Sequence, residues 1–360
     1  MNEAERMHDK TIRVGLIGYG YAGRTFHAPL IQSVPGLVLS VVGSSQGDIL
    51  RKTFPESTIC SAREAATRDD VDLVVIASPN ECHYPLALSA LRAGKHVVVD
   101  KPFTVTLDEA RSLRQVAEQE RKLLSIFHNR RWDSEIIAAR DVLHSGVLGE
   151  VTHFECHMDR FRPNVRRRWR EDPGPGAGLW YDLGPHLIDL SLHLFGLPNA
   201  VSGSFAILRE GGMTDDWAHI QLFYDRLRIV LHASLLASGG VPRSILHGTK
   251  ASWVKYGADV QEDQLKSGLS PLDASFGCDS SPCFLYDGKT GVKTEIPSPR
   301  ANQRGYYIAV KDAILRGEPS PVPVRDAIAT MAILEASFQS GALGKVLPIP
   351  LSAAERAEWS

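Results

Sequence analysis

Short apolar runs alternate with helical patterns along residues 11–128. Each run is bounded by glycine or polar residues, as is typical of strands buried on both faces of a parallel sheet. Helical periodicity at 25–33, 83–93 and 107–120 separates several of these runs. The pattern predicts an α/β Rossmann domain, a doubly wound parallel sheet covered by helices on both faces. The candidate strands are 12–18, 37–44, 57–60, 72–78, 96–100 and 123–128.

Beyond residue 130 the pattern changes to longer segments in which apolar and polar residues alternate. Such alternation predicts strands with one half-exposed face, so we expect an α+β C-terminal domain with a mostly antiparallel, open-faced sheet. The boundaries are predicted at 1–130 for the first domain and 131–360 for the second. Helices are expected at 134–145, 183–195, 303–315 and 324–340, strands at 151–161, 200–210, 217–224, 227–237 and 243–256, and loops over 265–299.

Composition bears on the partners, location and metal content to be expected of this protein. Hydrophobic residues make up 43% and charged residues 23%, and the net charge of -2 gives no reason to expect a nucleic-acid or membrane partner. The five cysteines form no zinc-type spacing, which favours reduced thiols, a cytoplasmic location and no bound metal. The half-exposed sheet face favours self-association, as a homodimer or homotetramer.

A glycine-rich run stands where the first predicted strand gives way to a helix. Gly18 permits a tight turn, Gly20 lets a pyrophosphate approach the backbone, and Gly23 allows close packing of helix on strand. Free N–H groups at the start of the helix would then bind the phosphates. The spacing predicts a dinucleotide site formed by Gly18, Tyr19, Gly20, Tyr21, Ala22 and Gly23.

The end of the second predicted strand bears on the choice between NAD and NADP. An acidic residue there would favour NAD, but the chain has Ser44 and Ser45. Arg51 and Lys52 follow and suit a 2′-phosphate, so NADP is slightly favoured over NAD. Two alternatives stay open: Asp48 or a serine serves NAD, and the two basic residues form a solvated helix face.

Three residues carry the candidate chemistry. Lys101 follows the fifth predicted strand, whose carboxyl end faces the ligand crevice of such a sheet. Asp182 and His186 are four residues apart at a predicted helix start and therefore share one face. Asp189 lies on the same face and can meet His186, whereas His193 is expected to be an ordinary core residue.

These motifs resemble the glucose–fructose oxidoreductase / inositol dehydrogenase / MocA family (Gfo/Idh/MocA) from about residue 11 to 349. The family's E-K-P motif matches Asp100, Lys101 and Pro102, with Asp in place of Glu. Its G-G-x-x-x-D-x-x-x-H motif matches 177–186, with alanine in place of the first glycine. The segments FHNRRWD, RWRED and WYDLGPHLID resemble its scyllo-inositol dehydrogenase branch.

The resemblance implies hydride transfer between a nicotinamide cofactor and a secondary alcohol or ketone of a cyclic polyol or sugar. His186 would act as general base, Asp182 would orient the substrate, and Lys101 would stabilise the developing alkoxide. The resemblance also places Asn80 and His83 beside the cofactor, although His83 is equally consistent with an ordinary helix start.

Other interpretations stay open from the sequence. The six arginines within 160–170 are either a solvated face or a loop that binds a polyol or an anion. Trp169 and Trp180 could wall a sugar ring or pack in a core. Alternative functions on the same fold are a glycosidase that retains its NAD and a non-catalytic regulator that binds NAD(P).

Overall fold

The protein is described here by a computed structural model that covers residues 11–359. These residues form two compact units. The first comprises 11–129, 261–276 and 302–327, and the second comprises 130–260, 277–301 and 328–359. The predicted boundary at residue 130 stays a prediction. Among residues 11–359, no helix is both long and apolar enough to cross a membrane.

The first unit contains a sheet of six parallel strands, which confirms the predicted Rossmann class. Its order is β3-β2-β1-β4-β5-β6. The order reverses between β1 and β4, so a crevice opens at the carboxyl ends of these two strands. The strands are β1 (Ile12–Ile17), β2 (Leu37–Gly43), β3 (Thr58–Cys60), β4 (Leu73–Ile76), β5 (His96–Val99) and β6 (Leu124–Ile126).

The burial of the strands explains why their apolar runs in the sequence predicted them. All four residues of β4 are buried, as are Val97, Val98 and Val99 of β5. A parallel strand covered on both faces needs an unbroken apolar run, and these apolar, mostly β-branched residues supply it.

The helices agree with most of the predicted positions. Four short ones were not predicted: Gly47–Thr53, Ala62–Thr67, Gln261–Lys266 and Ala353–Ala357. A π-helical turn at Gly23–His27 precedes the first helix. In chain order the helices are α1 (Ala28–Gln32), α2 (Gly47–Thr53), α3 (Ala62–Thr67), α4 (His83–Arg92), α5 (Leu107–Glu120), α6 (Ser134–Ser145), α7 (Leu179–Phe195), α8 (Gln261–Lys266), α9 (Arg304–Arg316), α10 (Val324–Leu343) and α11 (Ala353–Ala357).

The second unit is built on a nine-stranded sheet with the order β14-β13-β12-β11-β7-β10-β9-β8-β15. Its strand pairs are antiparallel except β7 with β10, which confirms the predicted mostly antiparallel sheet. The strands are β7 (Val151–His157), β8 (Ala200–Ala206), β9 (Trp217–Phe223), β10 (Arg228–Ser234), β11 (Ser244–Gly248), β12 (Ala251–Lys255), β13 (Cys283–Asp287), β14 (Lys293–Ile296) and β15 (Leu347–Pro348).

Two predictions in this unit were wrong. The segment 243–256 is not one strand but a hairpin of β11 and β12, because the chain turns at Thr249 and Lys250. The segment 265–299, predicted as loops, contains β13 and β14. The Asp287 carboxylate accepts hydrogen bonds from the backbone N–H of Lys289 and Thr290, which closes the turn between these strands.

Candidate active site

The glycine turn after β1 is shaped by close backbone contacts. Gly18 has φ +93°, and a Cβ there would lie 2.4 Å from the carbonyl oxygen of Ala77. A Cβ on Gly23 would lie 2.2 Å from the carbonyl oxygen of Gly18, but one on Gly20 would meet nothing within 4 Å. Gly18 and Gly23 are therefore needed by the fold. Gly20 leaves an open backbone surface, which is what a pyrophosphate needs.

The other residues of this run have contacts within the first unit. The Tyr19 ring packs edge-on against Phe54, with centroids 5.3 Å apart. The exposed Tyr21 donates a 2.6 Å hydrogen bond from its hydroxyl to Glu262 of α8. Ala22 lies directly before the π-helical turn. The dinucleotide site therefore presents backbone at Gly20 while its tyrosines pack against neighbouring parts of the same unit.

The end of β2 lacks a carboxylate, as its sequence indicated. The Ser44 hydroxyl accepts a 3.2 Å hydrogen bond from the backbone N–H of Gln46, and Ser45 is exposed. Arg51 pairs with Asp48 at 3.1 Å, and both side chains are largely exposed. Exposed pairs of this kind are weak, so Arg51 can turn toward an anion at little cost.

Lys101 belongs to the first unit and lies half-buried, two residues after the end of β5. Its backbone N–H donates a 2.7 Å hydrogen bond to Oδ1 of Asp100. The other oxygen of Asp100 lies 3.6 Å from Nε2 of His27, whose Nδ1 is 2.5 Å from the Tyr307 hydroxyl. Burial, the largest influence, acts to raise the pKa of Asp100, but His27, Lys101 and His83 lower it overall. Asp100 is therefore a carboxylate that fixes the backbone of Lys101.

No sequence motif points to His27, and its place beside Asp100 is apparent only from the fold. It ends the π-helical turn and is fully buried, with its ring 4.2 Å from that of Phe127. Burial raises the pKa of Tyr307 well above its usual value, so this phenol keeps its proton. It can donate to Nδ1 of His27, which leaves an N–H at Nε2, on the side of Asp100.

His83 and Asn80 are both buried in the first unit. Nδ1 of His83 lies 2.8 Å from the carbonyl oxygen of Pro102, and Nε2 lies 3.0 Å from that of Ser78. Burial lowers the pKa of His83, so the neutral ring donates to one of these oxygens. His83 thus lies in contact with the loops that follow β4 and β5, the second of which carries Lys101.

In the second unit, the start of α7 is held by Asp215. The backbone N–H of Trp180 donates a 2.7 Å hydrogen bond to Oδ2 of Asp215, and that of Leu179 donates to the Asp215 carbonyl at 2.9 Å. Gly178 has φ +95°, and a Cβ there would lie 2.0 Å from Oδ1 of Asp215. This contact explains why the motif needs glycine at 178, while Ala177 is tolerated at the preceding position.

Asp182 lies in the first turn of α7 between two arginines of the 160–170 segment. Its carboxylate is 3.5 Å from Nε of Arg170 and 4.0 Å from Nη1 of Arg160. The cavity beside it, lined also by Arg168 and Arg209, measures about 10 Å³, the space of roughly one water. Two arginines of this segment therefore contact the half-buried Asp182, whereas Arg166 and Arg167 are exposed.

His186 lies one turn further along α7 and is 6% exposed. The helix is anchored next to it, since Asp189 accepts two hydrogen bonds from Arg131, at 2.9 and 2.5 Å, in a buried bidentate pair. Trp180 is fully buried and donates from Nε1 to Ser337, which makes it a core residue. The expectation that His193 is a core residue was wrong, because its side chain is exposed where the helix leaves the core.

Two family models match the chain. Residues 12–128 match the family model described as "Oxidoreductase family, NAD-binding Rossmann fold". Residues 140–351 match "Oxidoreductase family, C-terminal alpha/beta domain". The fold and the two matches define an oxidoreductase with an NAD-binding Rossmann domain. The chain belongs to the Gfo/Idh/MocA oxidoreductase family.

Individual relatives cover almost the whole chain. "Uncharacterized oxidoreductase YdgJ" of Escherichia coli (strain K12) is 46% identical over 91% of this chain and 96% of its own length. "scyllo-inositol 2-dehydrogenase (NADP(+)) IolW" of Bacillus subtilis (strain 168) is 36% identical over 92% of this chain and 94% of its own. A crystal structure of a protein from Klebsiella pneumoniae, 47% identical, superposes with a TM-score of 0.92 over 98% of both chains.

Proposed function

We propose that this oxidoreductase is a dehydrogenase of a cyclic polyol or sugar with scyllo-inositol-like stereochemistry, acting at a secondary alcohol or the corresponding ketone. The observation that carries the proposal is the pair of Asp182 and His186 one helical turn apart on a firmly anchored α7. An acid and an imidazole on one face can orient a hydroxyl and take its proton. The name of the Bacillus subtilis relative supports this substrate class.

Each side chain has a proposed role in this reaction. His186 accepts the proton of the substrate hydroxyl during oxidation and returns it during reduction. Asp182 hydrogen-bonds the substrate, and Arg160 and Arg170 hold its side chain in place. The Lys101 ammonium stabilises negative charge on the oxygen that loses its proton. The nicotinamide, when bound, supplies the acceptor or donor of the hydride.

The proposed cofactor is NADP in preference to NAD, bound along Gly18, Gly20 and Gly23 and completed by Ser44, Ser45 and Asn80. Support comes from the missing carboxylate at the end of β2 and from Arg51, whose weak exposed pair with Asp48 leaves it available for a 2′-phosphate. The value of kcat/KM should be higher with NADP than with NAD, and Arg51→Ala should reduce this ratio. A clear preference for NAD in the parent protein would contradict the proposal.

A substrate panel tests the reaction itself. Initial rates of nicotinamide reduction are measured with inositol stereoisomers, aldoses and glycosides, and the reverse rates with the keto-inositols. We expect turnover with at least one free cyclic polyol or aldose. Cleavage of glycosides without turnover of free polyols would instead identify a glycosidase that retains its cofactor. If the parent protein binds the cofactor but turns over none of these compounds, the result would favour a non-catalytic regulator, although Lys101, Asp182 and His186 are all present.

We also propose self-association through the outward face of the sheet in the second unit. Trp217 and His219 lie side by side on this face with ring centroids 5.9 Å apart, Trp217 half-buried and His219 exposed. Aromatic faces of this kind are common in protein interfaces. Sedimentation equilibrium should give a dimer or tetramer, and a monomer at micromolar concentration would contradict this.

A further inference from the structure

Ligating side chains cluster on the sheet of the second unit, apart from the residues assigned to the dehydrogenase reaction. The parallel pairing of β7 and β10 makes His157 and His232 direct neighbours. Asp159 lies two residues beyond His157 and shares its face, because the backbone N–H groups of Met158 and Arg160 continue the pairing with β10. Two imidazoles and one carboxylate are thereby brought to one place.

We propose that His157, Asp159 and His232 form a binding site for Zn²⁺ or a similar divalent transition metal, with an open coordination position. Nδ1 of His157 lies 3.4 Å from Oδ2 of Asp159, and Nε2 of His232 lies 3.6 Å from Oδ1. All three ligand atoms lie within 4.8 Å of one another. Tetrahedral ligands at about 2.0–2.1 Å from zinc are roughly 3.3 Å apart, so only small side-chain shifts are required.

The surroundings of the cluster suit a metal-bound histidine. Nε2 of His157 lies 3.1 Å from Oε2 of Glu155, whose other oxygen is 2.9 Å from His153. A carboxylate on the outer nitrogen is the usual support of a ligating imidazole, since it fixes the ring and its tautomer. Nδ1 of His157 and Oδ1 of Asp159 are both buried and have no hydrogen-bond partner, so they point into the cluster with unused lone pairs.

An open coordination position follows from the adjoining cavity. His157 and Asp159 line a cavity of about 270 Å³ together with Arg160 and Arg243. Three protein ligands leave the fourth position of a tetrahedral ion for water or a small anion, and this cavity offers the space and the access. The sequence spacing does not reveal the cluster, because its residues come from two strands that are far apart in the chain.

Metal binding to the full-length chain, prepared without a histidine tag and stripped with a chelator, tests the proposal. Co²⁺ is added and its visible absorption followed, and Zn²⁺ is then used to displace it. We expect one ion per chain and a coordination spectrum with nitrogen ligands. Asp159→Asn and His232→Ala should each weaken binding at least about 100-fold, and Glu155→Gln about 10–100-fold, as is usual for an outer carboxylate.

His247→Ala is the matched control. His247 lies on the same sheet and is hydrogen-bonded to Ser252 outside the cluster, so its removal should leave the affinity unchanged. Circular dichroism checks the fold of each variant. If His232→Ala does not fold, the affinity of Asp159→Asn, which preserves the size and shape of the side chain, is the test of the proposal. Failure of the parent protein to bind Co²⁺ or Zn²⁺, or equal binding by parent and Asp159→Asn, would overturn the proposal.

Discussion

The two units hold their candidate residues by different means. In the first, the dinucleotide turn is made of backbone, and its shape depends on contacts such as that of Gly18 with the Ala77 carbonyl. In the second, Asp182 is held by charged side chains, Arg160 and Arg170. Backbone shape is specified by the residues of the turn itself, whereas an ion-pair network depends on residues from several segments. We therefore expect substitutions in the two units to affect different measurements.

Removal of the proposed base should have the largest effect. His186→Ala is expected to lower kcat by about 10²–10⁴-fold with unchanged affinity for the cofactor, because proton transfer loses its acceptor. Stopped-flow turnover and cofactor titration give the two quantities. His193→Ala, an exposed histidine on the same helix, serves as the control and should behave like the parent. Near-normal kcat in His186→Ala would remove this residue from the mechanism.

Two glycine variants separate fold from binding in the first unit. Gly18→Ala should lower the free energy of unfolding by about 1–3 kcal/mol, because alanine at φ +93° is strained and collides with the Ala77 carbonyl. Gly20→Ala should leave stability within about 0.5 kcal/mol but raise the cofactor Kd about tenfold, since only the ligand approaches that position. Chemical denaturation measures the free energy of unfolding, and fluorescence titration measures the cofactor Kd. If Gly18→Ala and Gly20→Ala lose equal stability, Gly20 is also needed by the fold.

Asp215 should make the stability of the second unit depend on pH. Burial, opposed by the N–H of Trp180, raises its pKa to about 6 from 3.8. The folded state thus prefers the protonated carboxyl, and stability falls as pH rises from about 4 through 6. Asp215→Asn, which can still accept from Trp180, should gain up to about 2–3 kcal/mol on the parent over this range. The free energies of unfolding of the parent and of Asp215→Asn are measured by chemical denaturation at several pH values. A difference between them that does not change between pH 4 and 7 would contradict the assignment.

A smaller effect is expected from the arginines around Asp182. Arg170→Gln should lower kcat/KM about tenfold, because the carboxylate loses a cation 3.5 Å away. Arg167→Gln, at an exposed position on the same segment, is the control. If the two variants have the same kcat/KM, the arginines do not position Asp182.

Local patterns predicted the six strands of the parallel sheet, most of the helices and the glycine turn, because each depends on neighbouring residues. They did not predict His27 beside Asp100, the Asp215 contact at the start of α7, or the pair of Arg131 with Asp189. These contacts join residues 35 or more positions apart, and no periodicity encodes them. The turn at Asp287 could have been found from its Asp-Gly-Lys-Thr sequence, which is typical of an Asx turn.

The central proposal is that Lys101 and His186 act in the same chemical step. A double-mutant cycle on kcat with Lys101→Ala, His186→Ala and the double variant tests this most directly, because groups that act in one step are strongly non-additive. We predict that the double variant is little slower than the slower of the two single variants. Losses that multiply would mean that the two residues act independently, and would contradict the account.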